Sequence, residues 1–141
     1  MKTIIKTDFE KWFIKQLTKE DKKYYFMVGA KKVYVFFEGQ KTTISDDYVT
    51  IQIHAEPTRR ISTGAKYHTG VYKFFIYGKM ILTPDKVTDA LATILDEVAI
   101  EETPGAKIET GILSTLQRGN KFAESTHYEN ITEITFHHWS A

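Results

Sequence analysis

The segment "LTPDKVTDALATILDEVAI", residues 82–100, constrains this chain more than any other. Val87, Ala90, Leu91, Ile94, Leu95 and Val98 recur at helical spacing and form one continuous apolar face. Lys86, Asp89, Thr93, Asp96 and Glu97 lie largely off it. Thr83 reads as the N-cap, Pro84 suits the first helical position, and Asp85 sits in the first turn, where the helix dipole favours a carboxylate. The pattern predicts a helix over about 84–98, roughly 22 Å long and able to cross a sheet of several strands. A helix that is apolar on one face draws its stability from what that face covers. The rest of the chain must supply that surface.

It does so mainly with strands. "YVTIQIHAE" alternates: Val49, Ile51, Ile53 and Ala55 point one way, and Tyr48, Thr50, Gln52, His54 and Glu56 the other. Residues 24–28 and 33–37 are β-branched and aromatic, with Gly29–Lys32 as a turn between them. "VYKFFIYGKMI" carries aromatics on both faces, as a central strand does. "KIETGILSTLQRG" and "YENITEITFHHW" read as two closing strands, joined through "RGNKFAEST". At the other end of the chain, Ile5, Phe9, Trp12, Phe13 and Leu17 form an apolar stripe that predicts a helix over 4–18. Thr7 and Glu10 fit a capping box for it, with Thr3 as the cap of a longer version. "TKEDKK" then ends that helix in exposed charge. The expected fold is α+β: a mostly antiparallel sheet with an amphipathic helix packed across it and an N-terminal helix. The chain shows no repeat, low-complexity tract or linker, so residues 1–141 form one domain.

Charge and composition narrow the function classes. The formal net charge is +1, far below the basic excess that drives non-specific DNA binding. Without cysteine there is no disulfide scaffold, thiolate metal site or cysteine nucleophile. No apolar run approaches the ~20 residues that span a bilayer. The opening "MKTIIKTDFEKWF" interrupts its isoleucines with charge, unlike a secretion signal. A soluble, cytoplasmic chain without membrane association is the expectation.

Catalytic and ligand signatures are weak. His137 and His138 are adjacent on a strand and point to opposite faces, so they do not chelate one ion. His54, His68 and His127 have no ligand spacing. "EGQKTT" and "STGAKYHTG" mix Gly, Lys and Thr but do not fit a phosphate loop, and the second leads into a strand rather than a helix. Asp46–Asp47 and Glu101–Glu102 read as solvated loop acids. Asn130-Ile131-Thr132 matches a glycosylation sequon, which has meaning only in a secreted chain. No enzymatic centre, metal or cofactor is expected.

One stretch stands apart. "PTRRISTGAKYHTG", residues 57–70, connects two strands expected to pair and brings Arg59, Arg60, Lys66 and His68 together. A tight hairpin needs two to five residues, and longer loops are commonly functional or disordered. It is either a floppy polar tip or an arm that contacts a partner. Paired arginines suit the second role, because guanidinium groups fix carboxylates in a defined orientation.

The order running from "VTIQIHAEPTRRISTG" through "VYKFFIYG" to "TPDKVTDALATILDE" resembles the central block of phage tail-terminator, or tail-completion, proteins. There a strand leads into a basic, glycine-bearing hairpin, a return strand opening here at Gly70-Val71, and a helix crossing the sheet. Two closing strands follow, as 107–119 and 128–139 would supply, and the helix over 4–18 has its counterpart. The resemblance covers roughly 48–139 in pattern and does not account for 20–47. It implies a structural virion protein of bacteriophage that forms a homo-oligomeric ring, usually a hexamer, at the head-proximal end of the tail tube. Such a ring ends tube growth and joins tail to head during virion assembly. It implies contacts with its own copies, the tail tube protein and a head–tail connector protein, and DNA that passes through the neck without specific binding. Location would be the virion tail, and the host cytoplasm during assembly. On this reading Arg59, Arg60, Lys66 and His68 contact a subunit or the tube. Two alternatives stay open: another connector or tail protein, and a nucleic-acid or ligand module that stacks bases on Tyr24, Tyr34, Tyr72, Phe74 and Tyr77.

Overall fold

A computed structural model describes residues 2–40, 47–56, 59–60, 64, 66–80, 82–121 and 127–140. The elements run α1 (Lys2–Lys15), β1 (Thr18–Glu20), β2 (Lys23–Val28), β3 (Lys31–Phe36), β4 (Tyr48–Ala55), β5 (Arg59–Arg60), β6 (Lys66–Gly78), α2 (Thr83–Leu95), β7 (Ala99–Ile100), β8 (Ile108–Lys121) and β9 (Tyr128–Ser140). All nine strands join one sheet in the order β1-β2-β3-β4-β6-β9-β8-β7, with β5 paired to β6. The fold is α+β, as the sequence predicts. Every pairing is antiparallel except β3 with β4, which is parallel.

Both helices cover one face. Along β6 the even positions point to that face: Tyr72, Phe74 and Ile76 are fully buried. They oppose Ile53, Ile51 and Val49 of β4 on one side. On the other, Tyr72 opposes Ile134 of β9. From α1, Phe9 stacks on Tyr72 at 4.0 Å, and Phe13 meets Phe74 and Phe37 edge-on. From α2, Val87, Leu91 and Leu95 enter the same cluster. A Cβ on Gly78 would lie 2.6 Å from Thr83, so the start of α2 presses directly on the end of β6. Asn130 Nδ2 donates to Asp85 Oδ1 at 2.8 Å and ties β9 to that first turn. Asn130 is buried and its amide is engaged, so the sequon is closed in the folded chain. Asp8, also buried, accepts from both the N–H and the hydroxyl of Thr103, which fastens α1 to the β7–β8 connection. Neither helix is long and apolar enough to cross a membrane.

Several boundaries differ from the sequence reading, each for a physical reason. The first helix is helical from Lys2, so Thr7 and Glu10 lie inside it and form no capping box. It ends at Lys15 because Thr18–Glu20 pairs with β2 as an exposed edge strand rather than continuing as a charged tail. The N-cap of α2 is Leu82, without a side-chain cap bond, and Thr83 is already helical. The helix stops at Leu95 rather than 98. The chain there turns through Glu97 at φ 52, and the Val98 N–H is taken by Thr110 Oγ1. Asp47 is not a solvated loop acid: it is 6% exposed and accepts from the Lys79 N–H.

Candidate interaction surface at the basic hairpin

Among the described residues, the connection expected at 57–70 is mostly strand. β6 begins at Lys66, five residues before the expected start, and β5 pairs back onto it with Arg59 opposite Tyr67 and Arg60 opposite Lys66. Gly64 sits between them with φ 84, a left-handed conformation that glycine adopts without cost. Residues 57, 58, 61–63 and 65, which complete the expected arm, lie outside the described residues. On its other edge this part of β6 pairs with the end of β9, Lys66 with Ser140 and Tyr67 with Trp139. The hairpin is therefore built into the sheet as a three-strand ribbon.

The four residues singled out in the sequence do not converge. Arg59 and Arg60 occupy β5, and Lys66 opens β6, half-buried and opposite Arg60. His68 does not belong to a loop. It occupies an even position of β6, turned to the helix-covered face and 6% exposed. There it meets its cross-strand neighbour His138, rings nearly parallel at 5.6 Å. His138 Nδ1 lies 2.9 Å from the Lys107 carbonyl oxygen, so Nδ1 is its N–H donor. Its buried Nε2 is left as a lone pair without a partner among the described residues. Burial, and then the electrostatic influence of the neighbouring His138, hold the His68 imidazole below its ordinary pKa.

The opposite face of the ribbon is what the sequence reading missed. Tyr67 lies against Trp139 with centroids 4.5 Å apart, and Trp139 remains 52% exposed. His137 Nε2 lies 3.0 Å from Glu109 Oε2 beside them, and Lys107 reaches the other carboxylate oxygen at 3.3 Å. His137 and then Lys107 hold Glu109 below the usual carboxylate range. A half-exposed Trp–Tyr pair thus stands beside the strand that places Arg59 opposite Tyr67, edged by the hydrogen-bonded His137 and Glu109. The signal was present in the alternation: Tyr67, His137 and Trp139 share odd positions on paired strands.

The proposed stacking face does not form. Tyr72 and Phe74 are core, and Tyr24 packs against Phe37 on the helix-covered side. Tyr34 and Tyr77 lie on the open face, where Tyr77 stacks with Tyr48 at 4.7 Å. Burial, followed by hydrogen bonding to the buried carboxylate Glu129, pushes the Tyr77 phenol well up. Among the described residues no three of His, Asp and Glu gather as a metal site. No protein-family model matches the chain, and no curated protein matches it.

Proposed function

We propose that the chain is a structural assembly subunit that forms a homo-oligomeric ring of the tail-terminator kind on the head-proximal end of a phage tail tube. The observation that carries this reading is Trp139, half-exposed on Tyr67 with Arg59 on the adjoining strand. Association hot spots are enriched in Trp, Tyr and Arg, and a ring subunit needs such surfaces. The element order from α1 through the basic hairpin and α2 to the closing β8–β9 pair supports the specific family reading. Contacts of Arg59, Arg60 and Lys66 with a neighbouring copy or the tube protein belong to the same proposal, as does a connector protein on the head side.

The test is the native mass of the purified chain, alone and mixed with tail tubes, for the wild type, Trp139→Ala and Arg59→Glu with Arg60→Glu. A ring on the tube end is expected for the wild type. The variants should assemble poorly, because reversed charge meets former partners as like charge. Their melting should change little, within about 0.5 kcal/mol, as for surface substitutions in general. A wild-type chain that stays monomeric and ignores tubes overturns the ring reading.

A further inference from the structure

The strand order makes the molecule electrically polar from edge to edge. Residues 18–36, which form the β1–β3 edge, hold five lysines, Lys19, Lys22, Lys23, Lys31 and Lys32, against Glu20 and Asp21. Residues 96–109, around the opposite edge strand β7, hold five acids, Asp96, Glu97, Glu101, Glu102 and Glu109, against Lys107 alone. The path between the edges crosses eight strands, about 34 Å at sheet spacing. Lys86 is exposed in the first turn of α2, whereas Asp96 and Glu97 are exposed just past its end, about 15 Å away.

The basic side carries a cavity. Between the β2–β3 turn and the start of α2 lies a space of 460 Å³ walled by Val28, Val33, Met80 and Leu82. Lys31 and Lys86 also line it, and neither makes an ion pair among the described residues. Met80 and Leu82 are 62% and 60% exposed, unusual for side chains of their size. The acidic side presents a corner rather than a cavity. At Asp96–Glu97 the chain turns out of α2, and Ala99 follows on the exposed edge of β7. An apolar hollow edged by unpaired lysines calls for an occupant with a small apolar side chain and carboxylates beside it. The α2–β7 corner of the same chain has that composition and lies at the far edge, where it cannot reach its own hollow.

We infer that the hollow at the start of α2 takes the α2–β7 corner, residues 96–99, of a second copy, giving a head-to-tail contact. The inference rests on the ring reading and names the surfaces that close the ring. A head-to-tail contact joins two different patches, leaves each patch free at one end of any open chain, and closes only when the rotation between copies closes. Lys31 and Lys86 would face Asp96 and Glu97, while Met80 and Leu82 would cover Ala99.

The chain has no cysteine, so the contact can be tested by placing one thiol on each surface. Leu82→Cys and Ala99→Cys, both at exposed positions, are prepared separately and mixed with a short bismaleimide crosslinker. The expected product is the mixed dimer, with little dimer from either variant alone, and closed rings from the chain carrying both thiols. Glu97→Lys or Lys86→Glu should weaken association at least about tenfold, and the two together should restore it, as expected for an opposed charge pair. Thermal melting of each variant guards against unfolding. Crosslinks between two Leu82→Cys chains would overturn the head-to-tail geometry. A wild-type oligomer that yields no mixed crosslink and ignores both charge reversals would overturn the inference while leaving the ring standing. A wild type that is monomeric and does not crosslink would overturn both.

Discussion

Gly70 is where a single added carbon should cost most. It stands at the centre of three strands, opposite Ala55 on β4 and Phe136 on β9. A Cβ there would lie 2.3 Å from the His54 carbonyl oxygen and 2.7 and 2.9 Å from Cζ and Cε1 of Phe136. The ring cannot swing clear. Phe136 is 1% exposed and is held at 4.6 Å from Tyr72, which is itself stacked on Phe9. The carbonyl belongs to the backbone of a paired strand, so relief requires that β4 move away from β6. Gly70→Ala should therefore cost about 3 kcal/mol, the upper part of the range for overpacking. For a chain of 141 residues that is a fall of roughly 10 °C in Tm, from about 2.1 cal/mol/K of unfolding entropy per residue. Gly64→Ala is the comparison. Its Cβ would meet nothing within 4 Å, but its φ is +84, so it should lose only the ~1–2 kcal/mol of a left-handed backbone. Thermal melts and urea titrations of both variants decide the matter. A loss below about 0.5 kcal/mol for Gly70→Ala, the level of an ordinary surface change, would refute the close approach of the strands. So would a Gly64 variant that is the less stable of the two.

Two further outcomes follow from the covered face. Leu91 is fully buried, and Leu91→Ala should cost ~2–5 kcal/mol in urea-denaturation experiments. His68 titrates below its ordinary value when folded, so the unfolded chain binds more protons in the interval between the two values. Its contribution to stability is intact above about pH 6.5 and falls as pH drops through that value towards the folded one. His138 and Lys66 lie beside His68 and disfavour an added positive charge there. His68→Leu should flatten the acid limb of a stability–pH profile, and an unchanged limb would assign it to other groups.

The fold was legible where burial follows a simple period. The α2 face and the alternation of β4 read directly, because one side of each is apolar and the other is not. Reading failed where polar residues hold structural places. Lys66–Gly70 looked like loop because it contains Lys, His, Thr and Gly, yet its pairing with β9 is continuous with the rest of β6. Asp47 looked solvated because nothing nearby in sequence announces that Lys79, 32 residues on, needs an acceptor. The edge strand β1 has no apolar face at all, and only its pairing with β2 defines it. For the candidate surface, the charge of Arg59 and Arg60 was visible, but the aromatic pair beside them depends on a register between residues 72 positions apart.

That register gives a rule for separating stability from association. On β6 every even position from His68 to Gly78 is buried, and every odd position from Tyr67 to Tyr77 is only partly covered. On β9 the same parity holds from Ile131 to Trp139: even positions lie under the helices, while odd ones carry Glu133, paired with Lys73 at 3.3 Å, then His137 and Trp139. The helices lie on one side only, so the two faces of these strands answer to different selections. A change on the even face disturbs packing between sheet and helices and must appear in a melt. A change on the odd face leaves that packing in place and can act only through what the open face meets. His68 was placed with the arginines by its neighbours in sequence, but its parity assigns it to the fold. Trp139, on the odd face, belongs with Tyr67, the residue that Arg59 opposes on β5.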